Sequence, residues 1–449
     1  MREKFLRFAG IKVTVLGFSR TGKAVSELMR DLGANVFISE FGNPEELKNT
    51  DFDFEVGGHT KRALDCDLLI PSPGIKPSAK IIQDAYNKGI EVRGEIDFAA
   101  ELLPCDYVSV TGTSGKSTTT SLIAQMLTKA GIISFPIGNI GDPVSNYVLN
   151  AEPDWVPVIE VGSPMCEMMD SFHPRVAVFL NLSEDHLDRH GTMEVYAAMK
   201  EKILRFMTED DLIVLNSSDE WSRSLSKKSK AKSLFFAANP DDKADAFMDG
   251  DSLYIHEEKV AVMDDFVLNG AFNGQNILAA ALAVSHFGID MKNAVSSVSD
   301  FHPLKHRMQF VGEWGGVRFI NDSKATKPDA TVLALKTLSG PFILILGGSE
   351  KGSDFSELPN NLSDVKLVII HGKTSERLKN VFDDAGFSRY RVTTNQSEAI
   401  RTAIEEACSG DSVLLSPACA SFDQFKDFEE RGDVFALEVK EIAPKILGS

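Results

Sequence analysis

At 449 residues the chain exceeds one ordinary hydrophobic core and predicts two or three domains, and its 43% apolar and 25% charged residues suit a soluble globular protein. A formal charge of −18 excludes nucleic acid as the main partner, because a phosphate backbone needs a basic face, yet it leaves room for nucleotides held by local loops and a metal. The opening MREKFLRFAG lacks an apolar signal core, and no apolar run reaches the ~20 residues that span a bilayer, so a cytoplasmic protein without membrane insertion is expected, as a monomer.

Three blocks follow, each opening with a strand that feeds a glycine-containing turn. In residues 1–97, positions 13–16 read as a buried strand, 17–22 as a turn, 24–32 as a helix closed by Gly33, and 36–39 as the next strand. DLLIPSPGI repeats strand then turn. In residues 98–302, positions 107–111 form a strand. After a glycine loop, Leu122, Ile123, Met126, Leu127 and Ala130 recur at helical spacing up to Gly131. Two apolar strands, VPVIEV and VAVFLN, come next, and the second runs into the polar loop LSEDHLDRHG and the helix MEVYAAMKEKILRF. SLYIHEEKVAVMDDFVL reads as a hairpin and NGQNILAAALAVSHFG as a helix. In residues 303–449, GVRFIN, FILILGG, KLVIIHG, YRVTT and SVLLSP alternate with helical segments, the mark of parallel strands joined by crossover helices. The fold class is α/β in three domains: Rossmann-like, central P-loop-type, and Rossmann-like again. Five scattered cysteines without a C-x-x-C pair read as free thiols.

The sharpest chemistry lies in VTGTSGKSTTT. A strand that ends in glycines and opens a helix presents backbone N–H groups and the positive helix end to an anion. Gly112, Thr113, Ser114 and Gly115 form that loop, Lys116 adds a charge for β- and γ-phosphates, and the Ser117 hydroxyl suits Mg²⁺. A strict Walker A loop would place its first glycine at position 110, which is Val110. The strand–loop–helix context argues against a merely structural turn. GFSRTG matches G-x-G-x-x-G except at Ser19, and Glu40 stands near where a ribose-binding acid lies. A nicotinamide cofactor site and a tight structural turn both stay open there.

LSEDHLDRHG gathers Asp185, His186, Asp188 and His190 at a strand's carboxyl end, where α/β proteins bind ligands; a capped, solvated loop is the plainer reading. Spacing alone does not judge Glu160 or Lys200. In the third block, INDSKATKP, ILGGSEKGSDF and LSPACASFDQFKDF carry Asp322, Lys324, Thr326, Lys327, Lys351 and hydroxyls suited to a small carboxylate, or to an ordinary polar rim. Phe422, Phe425 and Phe428, at spacing three, are assigned to the core.

Taken together, GTSGKSTTT, NLSEDHLDRHG, FNGQNILAAALA, LKHRMQ, INDSKATKP and SPACASFDQFKDFEERG resemble, in order and over essentially the whole chain, the Mur ligases of peptidoglycan synthesis. The last three are similar to the glutamate-adding branch. The resemblance implies an ATP-dependent amide ligase that phosphorylates the terminal carboxylate of UDP-N-acetylmuramoyl-L-alanine and lets the amine of D-glutamate displace phosphate. It implies that Lys116, Ser117 and Thr118 hold ATP and Mg²⁺, that Glu160 and His186 serve the metals, and that Lys200 is carbamylated. Asn276, Arg307, Asp322 and Lys324 would also contact ATP, with His306 close by. Arg20, Thr21, Ser39, Gly74 and Asn139 would meet the UDP-substrate; Thr326, Lys351, Ser421 and Phe428 would meet glutamate. The chain departs from the family at Gly162-Ser163-Pro164, at Phe272 and at Ser39-Glu40. The alternatives are another Mur or folylpolyglutamate synthase-like ligase, a silent nucleotide-binding homologue, or a nicotinamide-dependent oxidoreductase.

Overall fold

Apolar runs without polar alternation make strands buried on both faces, as parallel sheets require. A computed structural model of the chain describes residues 2–42, 44–241, 243–268, 270–302, 305–337, 340–349 and 353–448, and it arranges these strands in three sheets. The first is parallel, in the order β3-β2-β1-β4-β5, from β1 (Lys12–Leu16), β2 (Asn35–Glu40), β3 (Asp53–Val56), β4 (Leu68–Pro71) and β5 (Glu91–Val92).

The second sheet runs β14-β13-β12-β11-β10-β9-β6-β8-β7. Its strands are β6 (Val108–Thr111), β7 (Pro136–Gly138), β8 (Val158–Glu160), β9 (Val176–Phe179), β10 (Leu212–Asn216), β11 (Lys232–Ala237), β12 (Ala246–Asp249), β13 (Ser252–Ile255) and β14 (Glu258–Val262). The expected hairpin is β13 with β14, antiparallel at the sheet's edge. The third sheet, β15-β16-β20-β17-β18-β19, comprises β15 (Gln309–Trp314), β16 (Val317–Asn321), β17 (Phe342–Gly347), β18 (Val365–His371), β19 (Tyr390–Val392) and β20 (Ser412–Leu415). It is parallel except for β15, an antiparallel edge strand that the alternation of apolar runs did not predict. The mixed, half-exposed residues of β15 lack the continuous apolar run of a central strand.

Two compact units result, residues 1–301 and 302–449. Within the first, one hydrophobic cluster runs from Val13 and Val15 through Phe98 and Tyr107 to Ile159 and Phe179, so the first two sheets share a core. Position 97 falls inside a helix, Glu95–Leu102, whose buried apolar side chains belong to that cluster. In the second unit, successive residues of β17 alternate between faces: Ile343 and Ile345 pack with Ile400 and Phe435, Leu344 and Leu346 with Phe382. The five cysteines are free thiols, as expected.

Candidate functional site

Strand β6, held by the buried Val108 and Val110, delivers its last residue, Thr111, to the phosphate-type loop. Gly112 (φ +149°) and Gly115 (φ +84°) take backbone conformations that L side chains resist. A Cβ on Gly115 would stand 2.6 Å from Asn276 Oδ1, and one on Gly112 would stand 3.0 Å from Leu180 Cβ. The loop is therefore clamped between the end of β9 and the helix Ala271–Val284. Asn276 is buried there and accepts from Thr119 Oγ1 at 3.2 Å. Asn181, which sequence reasoning passed over, is the strap: its Oδ1 accepts from the Thr113 and Ser114 amides (3.2 and 2.9 Å) and its Nδ2 donates to Ser114 O. Its one signal was its place among the first polar residues after an apolar strand.

Lys116 opens the helix Lys116–Lys129 and folds back to donate to Gly112 O (3.1 Å) and Thr113 O (2.7 Å). Ser117 is buried in the first turn, with Thr118 beside it, at the helix end whose amides favour an anion. Lys200 comes from the helix Met193–Glu201 and is 1% exposed. Its Nζ donates to Gly112 O at 3.0 Å and lies 3.3 Å from Thr111 Oγ1, over the Tyr196 ring. Burial, then the neighbouring Lys116 charge, lowers its pKa to about 7. Glu160 ends β8 fully buried, and Asn139 Nδ2 donates to its Oε1 at 2.7 Å.

In the cluster read from LSEDHLDRHG the two histidine rings pack edge to face, centroids 6.4 Å apart and both against Tyr196, but their nitrogens find different partners. His186, in the left-handed region at φ +55°, lies 3.4 Å (Nε2) from Asp185 Oδ2. His190 turns inward instead, its Nε2 3.0 Å from Ser163 Oγ and its Nδ1 3.6 Å from Glu167 Oε1. His186 caps the short helix Leu187–His190 and His190 ends it, and the Asp188 side chain lies outside the described residues. Ser163 of the divergent Gly162-Ser163-Pro164 is thus the residue that anchors His190. Among the described residues, no three His, Cys, Asp or Glu side chains stand together as a metal-ligand group.

In the first sheet, Arg20 and Thr21 begin the helix Arg20–Asp31 after Gly17. Glu40 does not offer its carboxylate outward: Oε2 accepts from Phe18 N (2.6 Å) and Oε1 from Gly42 N (2.7 Å). Ser39 is fully buried, with its hydroxyl 2.6 Å from Glu55 Oε1 and 2.8 Å from His59 Nδ1. Gly74 O accepts from Arg189 Nη1 at 3.2 Å, and both of that guanidinium's other nitrogens bind Glu167 at 2.7 Å.

The second unit carries its own group. Arg307 sits between His306 (φ +65°) and Met308 (φ +48°), two left-handed residues that turn the chain over Asp322. Asp322 is buried; Ser416 Oγ donates to it at 2.9 Å and the Met308 amide at 3.2 Å. Burial pushes its carboxyl up to about 7, against the opposing pull of Ser416 and Arg307. Lys324 Nζ lies 5.7 Å above the Phe428 ring, and Thr326 follows in the same loop. Ser421 Oγ is buried and makes no hydrogen bond among the described residues. Lys351 lies outside the described residues. The three phenylalanines are not core. Phe422 is 65% exposed and Phe425 and Phe428 are half-buried, because residues 421–427 are bends and turns, so a spacing of three lines no helical face.

Three family descriptions match in order: the MurD N-terminal domain at residues 12–81, the Mur ligase middle domain at 110–284, and the Mur ligase glutamate ligase domain at 306–419. A UDP-N-acetylmuramoylalanine–D-glutamate ligase of Pelotomaculum thermopropionicum is 38% identical over 441 residues, covering 95% of this chain and 97% of the relative. The enzyme of that name from Geobacillus kaustophilus is 36% identical over 440 residues, covering 96% and 98%. The solved UDP-N-acetylmuramate–alanine ligase of Thermotoga maritima shares the fold, with a TM-score of 0.64 at 17% identity over 96% of this chain and 99% of that one. The chain belongs to the Mur ligase family, on the branch of the UDP-N-acetylmuramoylalanine–D-glutamate ligases.

Proposed function

We propose that the chain catalyses ATP-dependent addition of D-glutamate to UDP-N-acetylmuramoyl-L-alanine, a cytoplasmic step of peptidoglycan precursor synthesis. The observation that carries this reading is the buried Lys200 amine set against a glycine-clamped phosphate loop, in a chain aligned end to end with D-glutamate ligases.

A carboxylate is a poor electrophile with no adequate leaving group. Transfer of the γ-phosphoryl group to one of its oxygens makes an acyl phosphate. The glutamate amine then attacks the carbonyl carbon, the tetrahedral intermediate expels phosphate with that oxygen, and the amine loses a proton. Phosphoryl transfer needs positioning and charge neutralisation above all. Residues 112–118 would cradle the phosphates, with Lys116 swinging from its own loop carbonyls to the γ-phosphate.

Mg²⁺ would neutralise the phosphate oxygens, and the donors Ser117, Glu160 and a carbamylated Lys200, with His186 near the reacting carboxylate, suit such a hard cation. Carbamylation joins the neutral amine to CO₂ and releases one proton, which turns a buried cation into an anion. A lysine whose pKa is lowered to about 7, so that a large share of the amine is neutral there, supports that assignment. Arg307, Asp322 and Lys324 would meet ATP, and Thr326, Ser421, Phe428 and Lys351 the incoming glutamate.

Phosphate release with UDP-N-acetylmuramoyl-L-alanine, ATP and Mg²⁺ tests the reading, comparing D-glutamate, L-glutamate and no amino acid, with the product weighed by mass spectrometry. Product with D-glutamate alone is expected. Product with L-glutamate alone would reassign the amino acid, and no turnover with any amino acid would favour a different acceptor or a silent nucleotide-binding homologue.

A further inference from the structure

The corner of the first sheet where β2 and β3 end holds four acceptor groups that a nucleotide base could address: Ser39, Glu40, Glu55 and His59. Ligands of open α/β sheets sit at the carboxyl ends of the strands, so this corner belongs to the ligand side. Three of the four are engaged internally. Glu40 receives two backbone amides, from Phe18 and Gly42. Glu55 receives the Ser39 hydroxyl (2.6 Å), the Thr60 hydroxyl (2.6 Å) and the Thr60 amide (2.9 Å). Burial alone would raise its pKa, but those bonds hold it below the usual carboxylate value, so it is an ionised acceptor.

A hydroxyl has one proton to give. Since Ser39 donates it to Glu55, the 2.8 Å contact with His59 Nδ1 is made by an Nδ1–H donating to Ser39 Oγ. The tautomer follows: in the neutral ring, Nε2 carries the lone pair. Burial, opposed by Glu55 and Glu40, lowers the His59 pKa, which keeps the ring neutral near pH 7. Ser39 is fully buried and His59 half-exposed, so the Nδ1 edge is the inner one and Nε2 lies on the opposite edge. Beside it stands Phe41, 74% exposed, its ring centroid 6.3 Å from that of His59 and tilted by 56°. An aromatic face left open to water beside a single-acceptor edge is the pair of contacts that a flat base with an imide N–H requires.

We propose that His59 reads the base of the nucleotide substrate: Nε2 accepts the N3–H of uracil while the Phe41 ring supplies a stacking face. The proposal rests on the ligase reading for the substrate's uridine. Cytosine carries a lone pair at N3 and meets Nε2 acceptor to acceptor, so it is rejected. The contact expected of Ser39 passes to His59, and Ser39 becomes the residue that sets its tautomer.

The test uses the full chain and three forms of the UDP-N-acetylmuramoyl-L-alanine substrate, bearing uracil, N3-methyluracil or cytosine. In the wild type, kcat/KM is expected to fall about ten- to a hundredfold for the latter two, chiefly through KM, as for a buried hydrogen bond left unmade. His59→Ala should accept all three within about threefold and leave the KM for ATP and D-glutamate unchanged. His59→Gln, which keeps an acceptor oxygen, should restore part of the discrimination. Phe41→Ala should weaken all three alike, by about tenfold. Equal use of uracil and cytosine by the wild type, or full discrimination by His59→Ala, overturns the proposal. If no substrate yields product, it is the ligase reading that fails, and calorimetry with UDP, N3-methyl-UDP and CDP on the same protein still decides: UDP binding alone supports His59, and binding alike overturns it.

Discussion

A lysine buried to 1% exposure with its amine against one carbonyl and one hydroxyl oxygen is costly as a cation, and only a change of charge or a partner justifies it. Lys200→Ala is therefore expected to lower ligation by about 10² or more, with short carboxylates partly restoring it in place of the carbamate; full activity in the unsupplemented variant contradicts the assignment. A lowered lysine pKa means that the neutral amine accumulates above pH 7, so at fixed CO₂ the carbamate, and with it the rate, should rise from pH 6 to 8. Asp322 has the opposite sign. Its folded pKa of about 7 exceeds the unfolded value, so between about pH 4 and 7 the native state holds a proton that the unfolded chain has lost. Stability should fall as pH rises across that window, by on the order of 4 kcal/mol in full. Asp322→Asn should flatten the dependence in urea unfolding at pH 4.5 and 8; an unchanged slope would assign it to another group. The resemblance singled out Lys200 and Asp322, but their surroundings were not legible from spacing, because the partners of Lys200 lie 88 and 89 residues away and those of His59 depend on which hydroxyl proton goes where.

At the scale of the element, the phosphate loop was legible because its demands are local: a strand, two glycines in unusual conformations and a helix start follow one another in the chain. Gly115→Ala should abolish nucleotide binding measured by calorimetry, since the added methyl meets Asn276 and the backbone cannot keep φ +84° without strain. Unimpaired binding would show that the loop yields. The edge strand β15 and the bends after Ser421 escaped because apolar spacing reports helices and buried strands and is silent where the chain is half-exposed. The helix Glu95–Leu102 gives another test. Arg93 binds Asp97 (2.8 Å), Glu101 (2.9 Å) and Ser171 Oγ (2.6 Å), tying that helix to the second sheet's connection. Removing it leaves the buried Asp97 carboxylate with only the Ser171 amide and hydroxyl and no countercharge, so Arg93→Ala should cost about 3 kcal/mol in urea unfolding. A loss under about 1 kcal/mol would show that water replaces the guanidinium.

For the whole molecule, α/β class and tandem order were readable from alternating strands and helices, whereas the merging of the first two sheets into one unit was not. That merging depends on a shared cluster from Val13 to Phe179, and contacts at such sequence separation leave no periodic mark. The two units have separate hydrophobic clusters, and the tryptophans divide between them: Trp155 and Trp221 in residues 1–301, Trp314 in 302–449. Urea unfolding followed with Trp314→Phe and with the other two replaced should give transitions that do not coincide; superimposable curves would contradict independent cores. The central claim is that a carboxylate is activated by phosphorylation before the amine attacks. It is tested most directly by supplying UDP-N-acetylmuramoyl-L-alanine with both terminal carboxylate oxygens as ¹⁸O, together with ATP, Mg²⁺ and D-glutamate, and weighing the phosphate released. The account predicts one ¹⁸O atom in each phosphate formed with product, and unlabelled phosphate would contradict it.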